Sequence, residues 1–151
     1  MISVLKDVIG RTKLHHAAWP VPIGMLDQAV AFFVDQLGWI ENKEAKVSGD
    51  WGTARFVKPT AEDKFMIQLT EYNEVKMPDP LNGTHLAISV EHARSAASAI
   101  VEWGISHRNI ASWMMPANSE ETKWFVTLSG LLGFELELVT IPQESVAHHP
   151  V

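Results

Sequence analysis

Residues 14–21 read LHHAAWPV and residues 84–90 read THLAISV. Each stretch puts a histidine at the head of a short, mostly apolar run, the composition of a β-strand. His16 and His85 stand 69 positions apart (85 − 16). Sliding the chain by that amount lays Ala18 on Ala87, Val21 on Val90, Thr53 on Thr122 and Phe56 on Phe125. Val57 then falls on Val126, Phe65 on Phe134, Leu69 on Leu138, and Gln68 on Glu137. Coincidences this regular mark a duplicated module.

Each half reads as a strand, a helix and three more strands. In the first half the strand covers 14–21, and MLDQAVAFFVDQLGW carries apolar residues at helical spacing at Ala29, Val30, Phe33 and Leu37. Gly38 is placed to end that helix. Strands are expected around 40–47, 52–58 and 64–70. The second half predicts a strand over 84–90 and a helix over about 92–103 ending at Gly104, then strands near 106–113, 123–128 and 133–140. The helices need a local offset of three residues, because LGW and WGI are not in the 69-residue register. The segment EYNEVKMPDPLNG reads as the connection between modules and PQESVAHHPV as a poorly ordered tail. The domain plan is an N-terminal extension (1–12), one domain over 13–141 with modules at about 13–72 and 83–141, and a tail over 142–151.

Side chains alternate between the two faces of a strand. Leu86, Ile88 and Val90 therefore oppose His85, Ala87 and Ser89, and by the repeat Ala17, Trp19 and Val21 oppose His16 and Ala18. His15 then falls on the helix side or at the strand edge. Phe65, Ile67 and Leu69 oppose Met66 and Gln68, while Phe134, Leu136 and Leu138 oppose Glu135 and Glu137. The apolar faces are built to lie under helices. The other face collects two histidines, a glutamine and a glutamate from four strands, an expensive set to bury without partners. A divalent transition metal (Mn, Fe, Co, Ni or Zn) accounts for that set, with His16, Gln68, His85 and Glu137 as ligands. Such an ion acts as a Lewis acid on a substrate carbonyl or enolate.

Composition narrows the alternatives. The chain has 151 residues, 46% of them hydrophobic and 20% charged, the range of an ordinary globular domain. A net charge of −6 without basic clusters argues against nucleic acid and anionic membrane as partners. There is no cysteine, which removes disulfides, thiolate ligands and a cysteine nucleophile. MISVLKDVIGRTK reads poorly as a signal peptide and no apolar run is long enough to span a bilayer, so a cytoplasmic location is expected.

HHAAWPV, AVAFFVDQLGW, THLAISV and GFELELV together resemble the vicinal oxygen chelate superfamily, which includes glyoxalase I, methylmalonyl-CoA epimerase, extradiol dioxygenases and bleomycin- and fosfomycin-resistance proteins. The resemblance spans about residues 13–141. It implies an α+β fold of two βαβββ modules forming a cupped, open mixed sheet with helices on the outer face. It also places the metal ligands at His16, Gln68, His85 and Glu137, and implies a homodimer. The ligand order His, Gln, His, Glu is most similar to that of methylmalonyl-CoA epimerase.

The resemblance implies a metal-dependent isomerase or lyase of glyoxalase/epimerase type, acting on a small molecule that chelates the metal through oxygen. An Fe(II) ring-cleaving dioxygenase and a non-catalytic, resistance-type binding protein are the alternatives. Proton abstraction beside a carbonyl needs a base. Asp50 in SGDWG sits near where the epimerases carry theirs, and Glu44 is a second candidate. If they face inward, Arg55 can hold a substrate anion, and Trp51, Trp113 and Trp124 can wall a pocket for an apolar or aromatic substrate.

Overall fold

In the computed structural model, which describes residues 5–73 and 84–142, the chain folds as two βαβββ modules preceded by a short helix α1 (Leu5–Ile9). Module 1 comprises β1 (His16–Pro20), α2 (Leu26–Ala31), β2 (Ile40–Gly49), β3 (Gly52–Lys58) and β4 (Met66–Tyr72). Module 2 comprises β5 (His85–Val90), α3 (Ala93–Ile105), β6 (Ala111–Pro116), β7 (Lys123–Ser129) and β8 (Glu135–Thr140). The strand orders β1-β4-β3-β2 and β5-β8-β7-β6 match, and in each sheet only the pair β1–β4 or β5–β8 is parallel. This is the α+β architecture expected from the repeat. Most of the expected connection and nearly all of the expected tail lie outside the described residues.

The duplication holds down to backbone bonds. Met66 N–H donates to the His15 carbonyl at 3.2 Å, and 69 positions on Glu135 N–H donates to the Thr84 carbonyl at 3.0 Å. Each bond starts the parallel ladder, setting His16 opposite Met66 and His85 opposite Glu135.

One continuous core lies against the helices. Phe33, Val57, Leu69, Phe134, Leu136 and Leu138 are buried in it, and Phe32 of module 1 packs on Trp103 of module 2 at 5.1 Å between ring centroids. After Ala31 the helix α2 widens into a π-turn over Phe32–Gln36, where Leu37 N–H reaches back to the Phe32 carbonyl. The adjacent aromatics Phe32 and Phe33 are both buried, and the wide turn is where they enter the core. Trp39 and Trp103 pack against this core from its rim.

Element ends differ from the sequence reading by one or two residues at most places, and by more at the α3–β6 junction. The helix α3 runs through Gly104 to Ile105, and β6 begins at 111 rather than near 106. Gly104 is there for space: a Cβ would stand 2.7 Å from the Ser112 side chain, so glycine lets β6 approach the helix. Residues 106–110 form successive turns, with His107 N–H bonded to the Gly104 carbonyl and Ile110 N–H to the His107 carbonyl.

Candidate functional site

Register fixes which side chains share a face. In module 1 Ala18 and Phe56 both pair with Gln68, so Phe56 and Gln68 lie on the His16 side of the sheet. In module 2 Ala87 and Phe125 both pair with Glu137, on the His85 side. The faces facing away from the helices thus carry the four expected ligands.

The two halves reproduce each other in detail. The His16 ring meets the Phe56 edge at 5.6 Å and 83°, and the His85 ring meets Phe125 at 5.6 Å and 75°. A phenylalanine thus buttresses each imidazole edge-on. His85 Nε2 lies 3.2 Å from Glu137 Oε2, and Glu137 keeps only 16% of its side chain exposed. Gln68 donates from Nε2 to Thr70 Oγ1 at 2.9 Å. That bond aims the amide by its nitrogen and leaves the carbonyl oxygen, the end able to ligate a cation, as the other end of the group.

The donors fit a divalent transition metal. Two imidazoles, an amide oxygen and one carboxylate are borderline-to-hard ligands. Two donors that share an ion at about 2.1 Å each, roughly at right angles, stand about 3 Å apart, close to the observed His85–Glu137 spacing. One chain does not gather all four, however. Among the described residues no three His, Asp or Glu side chains form a group able to hold a metal, so His16 does not join His85 and Glu137.

The remaining candidates divide by face. Trp113 pairs with Thr127 and Met115 with Phe125, which puts both on the His85–Glu137 side of sheet 2. Both are well exposed for apolar residues, 39% and 52%. Met115 was not singled out from sequence, although it shares strand parity with Trp113. Arg55 and Trp124 occupy equivalent positions and both point the other way, opposite Leu69 and Leu138. Neither takes the place expected of it at the substrate face. Arg55 instead grips Glu41 through Nε and Nη2 at 2.8 and 2.7 Å and reaches Asp27 with Nη1 at 2.6 Å. The hydrogen bonds and charge of Arg55 hold the Glu41 carboxyl below its usual pKa, and Glu41 in turn raises that of Arg55. Trp124 is buried in the core beneath the Arg94 guanidinium.

Asp50 and Trp51 form the β2–β3 turn, where Gly52 pairs with Tyr72. That is four residues along β4 from Gln68, roughly 13 Å. Trp51 lies near Tyr72, with ring centroids 6.2 Å apart. Glu44 is exposed within the stretch of β2 where its register against β3 shifts, between Asn42 and Val47. The turn that carries Asp50 is thus remote from the row of Gln68, whereas Glu44 lies two residues beyond Asn42, which pairs with Phe56 in that row.

Comparison with solved structures places this architecture. Glyoxalase I of Leishmania major superimposes with a TM-score of 0.62 over 86% of this chain and 87% of its own, at 18% identity. The fold is glyoxalase-type. TnmS3, an antibiotic binding protein from Streptomyces sp. CB03234, gives 0.55 over 88% and 98% at 18% identity. A glyoxalase family protein from Enterococcus faecalis gives 0.54 over 85% and 97% at 19% identity. At these identities the likeness speaks for fold and not for reaction. It bears out the expected fold and does not single out methylmalonyl-CoA epimerase. No protein-family model and no curated protein matches the sequence. No helix among the described residues is long and apolar enough to cross a membrane.

Proposed function

We propose that this protein is a homodimeric, divalent-metal-dependent enzyme of glyoxalase/epimerase type, an isomerase or lyase acting on a small molecule that binds the metal through oxygen. Each centre takes His16 and Gln68 from one subunit and His85 and Glu137 from the other. The observation that carries this reading is the pair of matching half-sets: equal His–Phe edge contacts, each with a Gln or Glu opposite the phenylalanine, kept apart within the chain. Two donors seldom suffice for a transition ion, whereas four complete a site. When bound, the metal polarises a substrate oxygen and stabilises negative charge that develops beside it.

The protein's own part is to orient. Phe56 and Phe125 hold the imidazoles on edge, Thr70 fixes the Gln68 amide, and the single carboxylate of Glu137 leaves an M²⁺ centre with net positive charge for an anionic oxygen. Trp113 and Met115 offer an apolar flank on the same face as Glu137, suited to an aromatic or aliphatic part of the substrate.

Elemental analysis of tag-free protein tests the reading. About one transition metal per chain is expected, lost in His16→Ala and in Glu137→Ala. A chain that stays metal-free after reloading removes it.

A second reading has its own support. The fold neighbour TnmS3 is an antibiotic binding protein, and the exposed Trp113–Met115 flank suits capture of a large apolar ligand without turnover. Tight small-molecule binding that survives loss of all four ligand side chains would favour it.

A further inference from the structure

The histidine immediately before the first candidate ligand has no place in the four-donor set, yet the structure ties it directly to that ligand. His15 Nδ1 lies 2.7 Å from His16 Nδ1, the two rings meeting at 77° with centroids 4.9 Å apart. A nitrogen–nitrogen contact this short needs one proton between two acceptors, so one ring donates and the other accepts. The choice of donor decides what His16 can do. If His16 carries its proton on Nδ1, its Nε2 presents a lone pair; if His15 donates, a neutral His16 carries its proton on Nε2 and cannot ligate there.

The second module indicates which nitrogen the site uses. His85 stands against Phe125 as His16 stands against Phe56, at the same 5.6 Å, and it is Nε2 of His85 that faces Glu137. By the repeat, Nε2 is also the ligating nitrogen assigned to His16, and its other nitrogen, Nδ1, is the one in contact with His15. We infer that His15 is a positioning residue: it accepts the Nδ1 proton of His16, fixes the tautomer with Nε2 free, and holds the ring in its ligating orientation. A ligating histidine typically anchors its second nitrogen in this way, and loss of the anchor weakens metal binding about 10–100-fold. The backbone supplies the stiffness. The His15 carbonyl accepts from Met66 N–H at 3.2 Å, which pins residue 15 to the start of β4, the strand that carries Gln68. The inference rests on the metal-centre reading above, and its test separates the two.

Two measurements on the full chain are needed. The first needs no metal: long-range 1H–15N correlation spectra of histidine-labelled apoprotein report which ring nitrogen of His16 is protonated. The Nδ1–H form is expected in the unaltered chain. It should persist in His15→Asn, whose amide oxygen stands where Nδ1 stood, and give way toward the Nε2–H form in His15→Leu. The second is titration with Co²⁺, followed by its visible absorption. His15→Leu should weaken binding about 10–100-fold, His15→Asn should restore most of it, and His16→Ala should abolish it. Near-native Co²⁺ affinity in His15→Leu overturns the positioning role while leaving the metal centre standing. An Nε2–H tautomer in the unaltered apoprotein also overturns it. So does complete loss of Co²⁺ in both His15→Leu and His15→Asn, which would make His15 itself a ligand. An unaltered chain that takes up no Co²⁺ overturns this inference together with the metal reading.

Discussion

Glu137 Oε2 stands 3.2 Å from His85 Nε2, on strands whose register also sets Phe125 beside Glu137. This contact is the most developed part of the candidate centre, and it isolates the one formal charge among the four donors. Glu137→Gln keeps shape and hydrogen-bonding capacity but removes that charge, making the donor set His, Gln, His, Gln. Metal affinity should fall at least about tenfold, while the melting temperature of the apoprotein changes little. Isothermal titration with Zn²⁺ or Co²⁺ alongside thermal unfolding checks both halves of this expectation.

The exposed apolar flank makes a separate prediction. Trp113 is 39% exposed and lies on the Glu137 side, so Trp113→Ala should cost the fold little. Where a ligand stacks on the indole, binding should weaken by about 1 kcal/mol or more. Comparing ligand affinity with the urea midpoint distinguishes this from general destabilisation. Loss of both together would assign Trp113 to packing.

Arg55 serves stability, and its partner sets a pH dependence. Glu41 has its pKa lowered in the folded chain, chiefly by the hydrogen bonds from Arg55. A carboxyl depressed on folding contributes stability above its unfolded value near 4.5 and loses it as pH falls through the lower folded value. Arg55→Met should therefore destabilise the protein by about 1–3 kcal/mol at neutral pH, and by progressively less below about pH 4.5. Chemical unfolding of both proteins across that range is the check. A difference independent of pH would contradict the assignment.

Gly52 closes the β2–β3 turn with φ of +143°, and a Cβ there would stand 2.0 Å from the Glu71 carbonyl oxygen. Both strain and collision involve backbone that has nowhere to move. Gly52→Ala should cost about 2–4 kcal/mol, measured by denaturant unfolding.

Much of this was legible in the sequence because duplication and strand parity are strong, local signals. The offset of 69 fixed His16 against His85 and Gln68 against Glu137, and alternation alone put them on the face away from Leu69 and Leu138. Arg55 and Trp124 show where such signals stop. Both were offered to the substrate face, yet Phe56 opposite Gln68 and Phe125 opposite Glu137 force their immediate neighbours to the other side. Knowing that required the β3–β4 and β7–β8 registers, and the contacts that occupy Arg55 come from Asp27 and Glu41, distant in sequence. The late start of β6 was hidden for a similar reason. Its displacement comes from turns at 106–110 and from the approach of Ser112 to Gly104, and neither has a periodicity to read.

The central claim is that each metal centre is assembled from half-sets on two subunits, and mixed dimers test it most directly. One chain would carry His16→Ala with Gln68→Ala, and the other His85→Ala with Glu137→Ala. Each homodimer alone should bind no metal, because every centre lacks half its ligands. After unfolding and refolding together, the heterodimer should recover one centre, built from the intact first half of one chain and the intact second half of the other. Recovery of about one metal per heterodimer, with the four donors as ligands, is the predicted result. A heterodimer that forms and stays metal-free, while the unaltered dimer refolded in the same way binds metal, would contradict the account.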